Sequence, residues 1–376
     1  MYIPRDHRAK GTPVQGLPRI IDLFCGCGGF SLGAHAAGLG PRIALDIDPI
    51  LTSSFLVNFP STKLMHANLR TLDGADIRRE LGGPADGLFG GPPCQAFSDI
   101  GHRKATDSRR NLLRHFFRLV AETRPGFFVM ENVRGLGYAD ARLLLDRGLE
   151  LIPAKYKIVG PLILDAADFG AATRRSRLFV IGYDPNRCDS ILPSDLDNRK
   201  TEPATVDDAI ADLTSAAMMA EIGGYDTWKI TRRGRPSRYA ARLRTADGTF
   251  TGHRKTVHTL GVRKRFAKLL PGDVDPIGRH PRLTWNGQCP NLRAGTGRDR
   301  GSYQAVRPIH PEEARVITVR EAARLQGFPD SFKFHPTVWH SFRMIGNSVC
   351  PIMAEAILSL IAERMGVKQT MRIAAE

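Results

Sequence analysis

The sequence of 376 residues predicts an α/β protein: a doubly wound, mostly parallel sheet with a smaller, irregular domain placed before the chain's last segment. Three observations carry this. Short apolar runs rich in β-branched and aromatic residues alternate with helix-compatible stretches as far as Tyr183. A glycine-rich turn follows the first such run, where a doubly wound sheet opens its first helix. After Tyr183 the alternation stops and positive charge becomes concentrated.

Taken in order, Arg19 to Phe24 reads as the first strand, followed by a short helix from Phe30, a strand at Arg42 to Asp48 and a helix from Pro49. Asp86 to Phe89 is the third strand. A helix over Arg110 to Thr123, a buried strand at Phe127 to Glu131, a helix over Ala139 to Leu151 and a strand at Leu178 to Tyr183 complete a β-α-β rhythm, so both faces of the sheet should be covered. The following hundred-odd residues lack periodicity, apart from a helix expected at Val206 to Ile222. Helical pattern returns at Val319 to Leu325 and at Ser348 to Met365, the latter amphipathic enough to dock on the first half. The implied division is 1–184, 185–317 and a returning segment 318–376.

Composition narrows the function classes. With 42% hydrophobic and 24% charged residues the chain can bury a sizeable core, which argues against disorder. No window approaches 18 uninterrupted apolar residues and the N-terminus lacks the apolar run of a signal peptide, so a cytosolic protein without a membrane span is expected. The six cysteines show no paired C-x-x-C spacing, which disfavours both a disulfide scaffold and zinc; no metal is expected.

The chain carries 54 Lys+Arg against 38 Asp+Glu, a net charge of +16. Lys229 to Arg307 alone holds 19 basic and 4 acidic residues, or +15. A charge run by itself is usually a solvated face. Here it is interleaved with Tyr239, Phe250, Phe266, Trp285 and Tyr303 and with glycine-rich turns, which favours a loop-built nucleic-acid surface. Candidates for base or phosphate contact are Arg232, Arg233, Arg235, Arg254, Lys255, Arg293 and Arg298.

The loop Asp22-Leu23-Phe24-Cys25-Gly26-Cys27-Gly28-Gly29-Phe30 stands at the ligand-binding end of the first strand. A dinucleotide pattern beginning at Gly26 needs a glycine where Ser31 stands, which counts against nicotinamide, and no Lys-Ser/Thr ending supports a Walker motif. Asp46, with Asp48 behind it, lies where a carboxylate can accept hydrogen bonds from ribose hydroxyls, and Phe24 could cover an adenine face.

Cys94 follows two prolines in Gly90-Gly91-Pro92-Pro93-Cys94-Gln95-Ala96-Phe97-Ser98. A lone cytosolic cysteine is usually a buried thiol, but two preceding prolines stiffen the backbone in a way that aims a nucleophile. Glu131 closes an apolar run, an expensive place for a carboxylate unless it is paired or used. Arg175 and Arg177, two apart, would point to the same side of an extended backbone.

These motifs resemble, in order and over nearly the whole chain, those of the DNA cytosine-5 methyltransferases of bacterial type: DLFCGCGGF at 22–30, GGPPCQAFS at 90–98, MENV at 130–133, TRRSR at 173–177, REAARLQGFPD at 320–330 and GNSVCP at 346–351. The resemblance implies an S-adenosylmethionine-dependent methyltransferase fold, with catalytic and cofactor-binding residues in 1–184 and 318–376 and target recognition in 185–317. It implies Cys94 as the nucleophile on carbon 6 of cytosine. Glu131 would act on ring nitrogen 3 and the amine, Arg177 on the base carbonyl, and Arg175 in support of Glu131 and of the phosphate backbone. Gln95, Ser98 and the loop from Asp99 to Arg110 would close over a flipped nucleotide.

For the cofactor, S-adenosylmethionine, the resemblance implies adenine near Phe24, backbone contacts at Gly26, Gly28 and Gly29, ribose at Asp46, the adenine edge near Asn68 and Leu69, and the methionine end near Asn347, Ser348 and Val349. Thr173, Ile47, Asn68 and the pair Asn291-Leu292 depart from the family pattern. The implied partners are double-stranded DNA and a cognate restriction endonuclease, the alternative being an unpaired prokaryotic methylase, with a monomeric, nucleoid-associated enzyme in the cytoplasm. Other readings of the same scaffold are an RNA (tRNA) cytosine-5 methyltransferase and a non-catalytic DNA-binding protein. A positioned thiol argues against the last, and a nicotinamide oxidoreductase is disfavoured by the absent third glycine.

Overall fold

The computed structural model describes residue 16 and residues 18–93, 111–231, 234–294 and 307–367. Its first half is built from β1 (Ile20–Leu23), α1 (Gly29–Ala36), β2 (Ile43–Asp46), α2 (Phe55–Asn58), β3 (Lys63–His66), α3 (Gly74–Leu81), β4 (Gly87–Gly90), α4 (Asn111–Thr123), β5 (Phe127–Val133), α5 (Ala139–Leu149), β6 (Lys157–Asp165) and β7 (Ser176–Tyr183). These strands form one sheet in the order β3-β2-β1-β4-β5-β7-β6. Ladders from β3 to β5 are parallel, whereas β7 runs antiparallel to both β5 and β6. The strand order reverses between β1 and β4, so the ligand crevice of such a sheet falls at their C-terminal ends.

Alternation along the strands covers both faces. Phe127 and Val129 enter one apolar core while Phe128 and Met130 enter the other; on β7, Phe179 and Ile181 oppose Leu178 and Val180 in the same way. One core is closed by the stripe Leu113, Phe116, Phe117 and Val120 of α4. The other is closed by α1 and by the C-terminal helix.

The second half contains α6 (Pro193–Asp197), α7 (Val206–Ile210), β8 (Ala216–Ile222), β9 (Tyr225–Ile230), α8 (Arg238–Leu243), β10 (Thr249–Thr251), α9 (Leu260–Ala267), α10 (Val319–Leu325), α11 (Val338–Asn347) and α12 (Pro351–Arg364). β8, β9 and β10 make a small antiparallel sheet in the order β10-β9-β8. α12 packs on α1 at Gly33, where an added Cβ would stand 2.5 Å from Ala354 Cβ. The apolar stretch Val338–Arg364 has the length and mean hydropathy (1.6) of a membrane span, yet 83% of its most apolar window is buried inside the fold.

Several sequence expectations are corrected. The helix expected over Val206 to Ile222 is one turn and a half of α7, a 3-10 turn at Ala211–Ser215, then β8. Gly223 and Gly224, both at positive φ (60° and 81°), turn that segment back onto β9, and hairpin pairing overrides the helix preference of Ala and Met. The helix expected from Pro49 shrinks to α2, because the Asp48 carboxylate accepts hydrogen bonds from the Ile50 and Leu51 amides and winds the preceding residues into a turn. Of the aromatics expected on a basic surface, Tyr239, Phe250 and Phe266 are core residues; Trp285 is half-buried and Tyr303 lies outside the described residues.

Candidate active site

Register brings the sequence motifs to one edge. Leu23 of β1 pairs with Leu45 of β2 and Gly90 of β4, and Gly90 pairs with Met130 of β5. The glycine loop, Asp46, the Pro92-Pro93 turn and Glu131 therefore all leave the sheet side by side. Cys94 follows Pro93 directly; Cys94, Gln95, Ser98 and the loop 99–110 lie outside the described residues.

Glu131 sits on β5 opposite Phe179, and Arg177 opposes Val133. Side chains two apart on a strand share a face, so Glu131 and Arg177 are diagonal neighbours. Arg177 Nε lies 3.0 Å from Glu131 Oε1. Glu131 as a residue is 8% exposed. Burial holds its pKa above the ordinary carboxyl range, although Arg177 and Arg175 pull the other way. Gly91 makes the space: a Cβ there would lie 2.9 Å from Glu131 Oε2. Next to it, Asn132 donates from Nδ2 to the Pro92 carbonyl (3.2 Å), tying β5 to the turn that presents Cys94.

Arg175 differs from expectation. At 1% exposure it has no face for a DNA phosphate, and that expected contact is corrected. Its guanidinium donates to Asn291 Oδ1 (2.9 Å), to the Leu292 carbonyl (3.1 Å) and to the Gly346 carbonyl (2.9 Å). It joins the basic segment to the end of α11, while its charge still acts on Glu131. Thr173, one of the departures from the family pattern, donates from its hydroxyl to the Cys289 carbonyl at 3.1 Å.

The cofactor-side residues converge as well. Asp46 is half-buried and accepts from the Gly26 amide (2.9 Å) and the Asp48 amide (2.9 Å), which fixes its carboxylate beside the loop. The Gly26 and Gly28 amides are thereby already engaged, Gly28 donating to the Cys25 carbonyl at 2.9 Å. With their N–H groups used inside the loop, Gly26 and Gly28 also matter for the room they leave. Gly26 faces open space, whereas a Cβ on Gly28 would strike Phe59 and one on Gly29 would lie 2.5 Å from the Val349 carbonyl. Gly29 thus lets the loop meet Ser348 and Val349, with Cys27 Sγ 3.0 Å from Ser348 Oγ. Asn347 is exposed at the same place. Phe24 is half-buried at a positive φ of 61°, and Ile47 is 65% exposed. Leu69 is buried, its carbonyl accepting from Arg118 (2.9 Å), and Asn68 is exposed beside it.

Open space at Gly26 and a half-buried carboxylate one strand away fit a nucleoside with free ribose hydroxyls. Sequence reading missed several parts of this arrangement. Ser31, the residue that broke the dinucleotide pattern, donates to the buried Asp22 carboxylate (2.5 Å) under the loop. Arg343 of α11 reaches Asp48 at 3.1 Å. An aspartate inside the run Ile20–Leu23 was a legible signal; Arg343 had none. Among the described residues no cluster of three metal-ligand side chains occurs.

Among the proposed DNA contacts, Arg235 and Arg293 are exposed. Arg254 and Lys255 are exposed but pair with Glu221 (2.6 Å) and Glu313 (2.8 Å). Arg232, Arg233 and Arg298 lie outside the described residues.

Fold and site define a methyltransferase in which β5, the Pro92-Pro93 turn and the glycine loop leave one sheet edge side by side. A family model for C-5 cytosine-specific DNA methylases matches residues 18–363, and the chain belongs to that family. The Type II methyltransferase M.XorII of Xanthomonas oryzae pv. oryzae is 42% identical over 356 residues, spanning 90% of this chain and 82% of that protein. A crystal structure assigned as a prophage-encoded DNA modification methyltransferase of E. coli superposes with a TM-score of 0.79 at 36% identity, covering 93% of this chain and 99% of the other. The S. pombe Dnmt2 methyltransferase shares the fold, with a TM-score of 0.63 at 18% identity over 93% of this chain and 99% of its own.

Proposed function

We propose that this C-5 cytosine DNA methyltransferase uses S-adenosylmethionine, with Cys94, Glu131, Arg175 and Arg177 as its catalytic constellation, and serves as the modification partner of a type II restriction endonuclease. The observation that carries it is the buried Glu131–Arg177 pair beside the turn leading to Cys94. When bound, S-adenosylmethionine supplies an electrophilic methyl group; the ribose belongs at Asp46, the adenine between Phe24 and Asn68-Leu69, and the methionine end at Asn347-Ser348-Val349.

The chain's own residues activate the base. Cys94 Sγ, as thiolate, bonds carbon 6 of a flipped cytosine. Glu131 donates its proton to ring nitrogen 3 as electron density moves to carbon 5. Its raised pKa keeps that proton available. Arg177 holds the base carbonyl, and Arg175 positions the strand and the recognition segment. Once carbon 5 carries the methyl, loss of its proton to a base forms the carbon 5–carbon 6 double bond, breaks the bond between sulfur and carbon 6 and frees the thiolate, while ring nitrogen 3 returns its proton to Glu131. The recognition part falls within 185–317, leaving catalysis to 1–184 and 318–376. The reading includes a monomer working on duplex DNA in the cytoplasm.

Bisulfite sequencing of DNA from cells expressing the protein gives the motif, and a duplex carrying 5-fluorocytosine at that site traps the adduct because fluorine blocks the last elimination. A denaturation-resistant complex with the wild type and none with Cys94→Ser is expected. Absence of any adduct despite methylated DNA would overturn the covalent assignment.

A further inference from the structure

Basic residues in the second half divide into two groups. Arg254, Lys255 and Arg244 are matched by Glu221, Glu313 and Asp212, and so carry little net field outward. α9 behaves differently. Among the described residues its one ion pair, from Arg265 to the buried Asp275 outside the helix at 2.5 Å, faces the fold, while Arg263 and Lys264 and the C-cap residue Lys268 are exposed and have no ionic or hydrogen-bonded side-chain partner among the described residues. Arg279, on the turn that follows, is likewise exposed. The exposed carboxylate nearest in sequence, Asp273, accepts from the Leu270 amide.

A merely solvated helix would gain from acids placed among these cations. α9 contains none, and Lys264 stands four residues before Lys268, the residue that caps the helix's C-terminal end, so the two like charges repel.

The helix is also rigidly mounted. Arg282, buried beneath it, donates to the Phe266 and Leu269 carbonyls at its C-terminal end (2.8 and 3.1 Å) and to those of Pro311 and Glu312 (3.0 and 2.9 Å). Phe266 packs edge-on against His280, whose Nδ1 donates to the Arg307 carbonyl (2.7 Å). The Arg307 guanidinium in turn lies 4.5 Å from the centre of the Phe342 ring on α11. A short chain of contacts therefore links α9 to the helix that ends at Asn347.

We propose that α9 is a phosphate-binding face for duplex DNA, with Arg263, Lys264 and Lys268 gripping the backbone beside the methylated site and reading no bases. The proposal rests on the DNA-methyltransferase reading above. It is absent from the DNA-contact candidates drawn from sequence, because the exposed cations of α9 become distinct from paired ones only in the fold.

The test is binding of a mixed-sequence duplex of about 40 base pairs by the wild type and by a triple variant, Arg263→Gln, Lys264→Gln and Lys268→Gln, over a salt series. Each phosphate contact adds about 0.9 to the slope of log affinity against log salt, so the variant's slope should be shallower by roughly 2.7. Its affinity at low salt should fall by at least about tenfold, with an unchanged bisulfite motif and melting temperature. A control triple, Arg142→Gln, Arg147→Gln and Lys157→Gln, should keep the wild-type slope to within about 1. An α9 slope matching the wild type would overturn the proposal, and so would a changed motif, which would make α9 a base reader. A wild type that binds no DNA would instead fail the parent reading.

Discussion

At the scale of single residues, Glu131 concentrates the chemistry. Its environment is a compromise: burial favours the protonated acid, while Arg177 at 3.0 Å favours the carboxylate. A proton donor for a ring nitrogen needs that balance, since an exposed glutamate would be ionised at neutral pH. Glu131→Gln should lower kcat by about 100-fold to 10,000-fold with little change in DNA affinity, measured as single-turnover methyl transfer. With a raised pKa, Glu131 keeps its proton to higher pH than an ordinary carboxyl group, and transfer should decline as pH rises through that value. The Gln variant should lose this limb; a limb that persisted would assign it to another group. Glu131 was legible in the sequence because a carboxylate ending an apolar strand demands a use. Arg175 was legible as functional yet misassigned in part. Sequence spacing gives the side of the strand it faces but not the distant acceptors at Asn291 and Gly346 that consume its donors.

Among elements, the fit of α1 against α12 decides whether the cofactor wall exists at all. Gly33 faces Ala354 and the Pro351 carbonyl so closely that any Cβ would sit within 2.7 Å of both. Gly33→Val should therefore destabilise the protein by about 1–3 kcal/mol. Because α12 begins two residues after Val349, the same change should weaken S-adenosylmethionine binding disproportionately. Calorimetric titration beside a thermal melt checks this; a lower Tm with unaltered cofactor affinity would separate the packing from the pocket. The apolar content of α12 foretold that it docks on the first half, but the helix is buried around most of its circumference and not along one amphipathic face. Periodicity could not foretell β3 or β6. β3 is an edge strand of only four residues, Lys63–His66, too short to show alternation, and β6 carries Gly160-Pro161 at its middle, tolerated only because β6 lies at the other edge. Nor could it foretell β8, whose sequence Ala-Ala-Met-Met-Ala-Glu-Ile prefers a helix until β9 supplies a pairing partner.

For the whole molecule, the three segments share one core. Phe30, Leu283 and Ile357 belong to the same apolar cluster, and buried charges bind the parts further. Arg315, before α10, makes paired contacts with Glu321 on that helix, at 2.9 and 2.8 Å, and with Glu313 at 3.0 and 2.8 Å. Glu321 also accepts from the Thr318 amide (2.7 Å), closing a capping box that starts α10. Burial alone would raise Glu321, but the Arg315 hydrogen bonds and charge overcome it and hold the pKa down at about 2. The sign follows from linkage. A carboxyl whose folded pKa lies below its unfolded value adds stability above the unfolded pKa, near 4.5, and loses it as pH falls toward 2. Asp22 and Glu131, raised by burial, act in the opposite sense, so the acid branch of the wild-type curve alone mixes both effects. The difference between wild type and Glu321→Gln isolates the pair. Near neutral pH the variant should be less stable by about 3 kcal/mol, the usual cost of breaking a buried ion pair. That corresponds to a Tm lower by roughly 5 °C. As the medium is acidified from about pH 6 to about pH 3, this gap should narrow, because the wild type loses its ion pair while the variant has none to lose. Melts should also stay single transitions at each pH, since Val319, Ala322 and Leu325 of α10 belong to the same apolar core as Phe89, Phe127 and Ile181 of the large sheet. A Tm gap independent of pH would show that shape and capping at position 321, not its charge, hold the segments together.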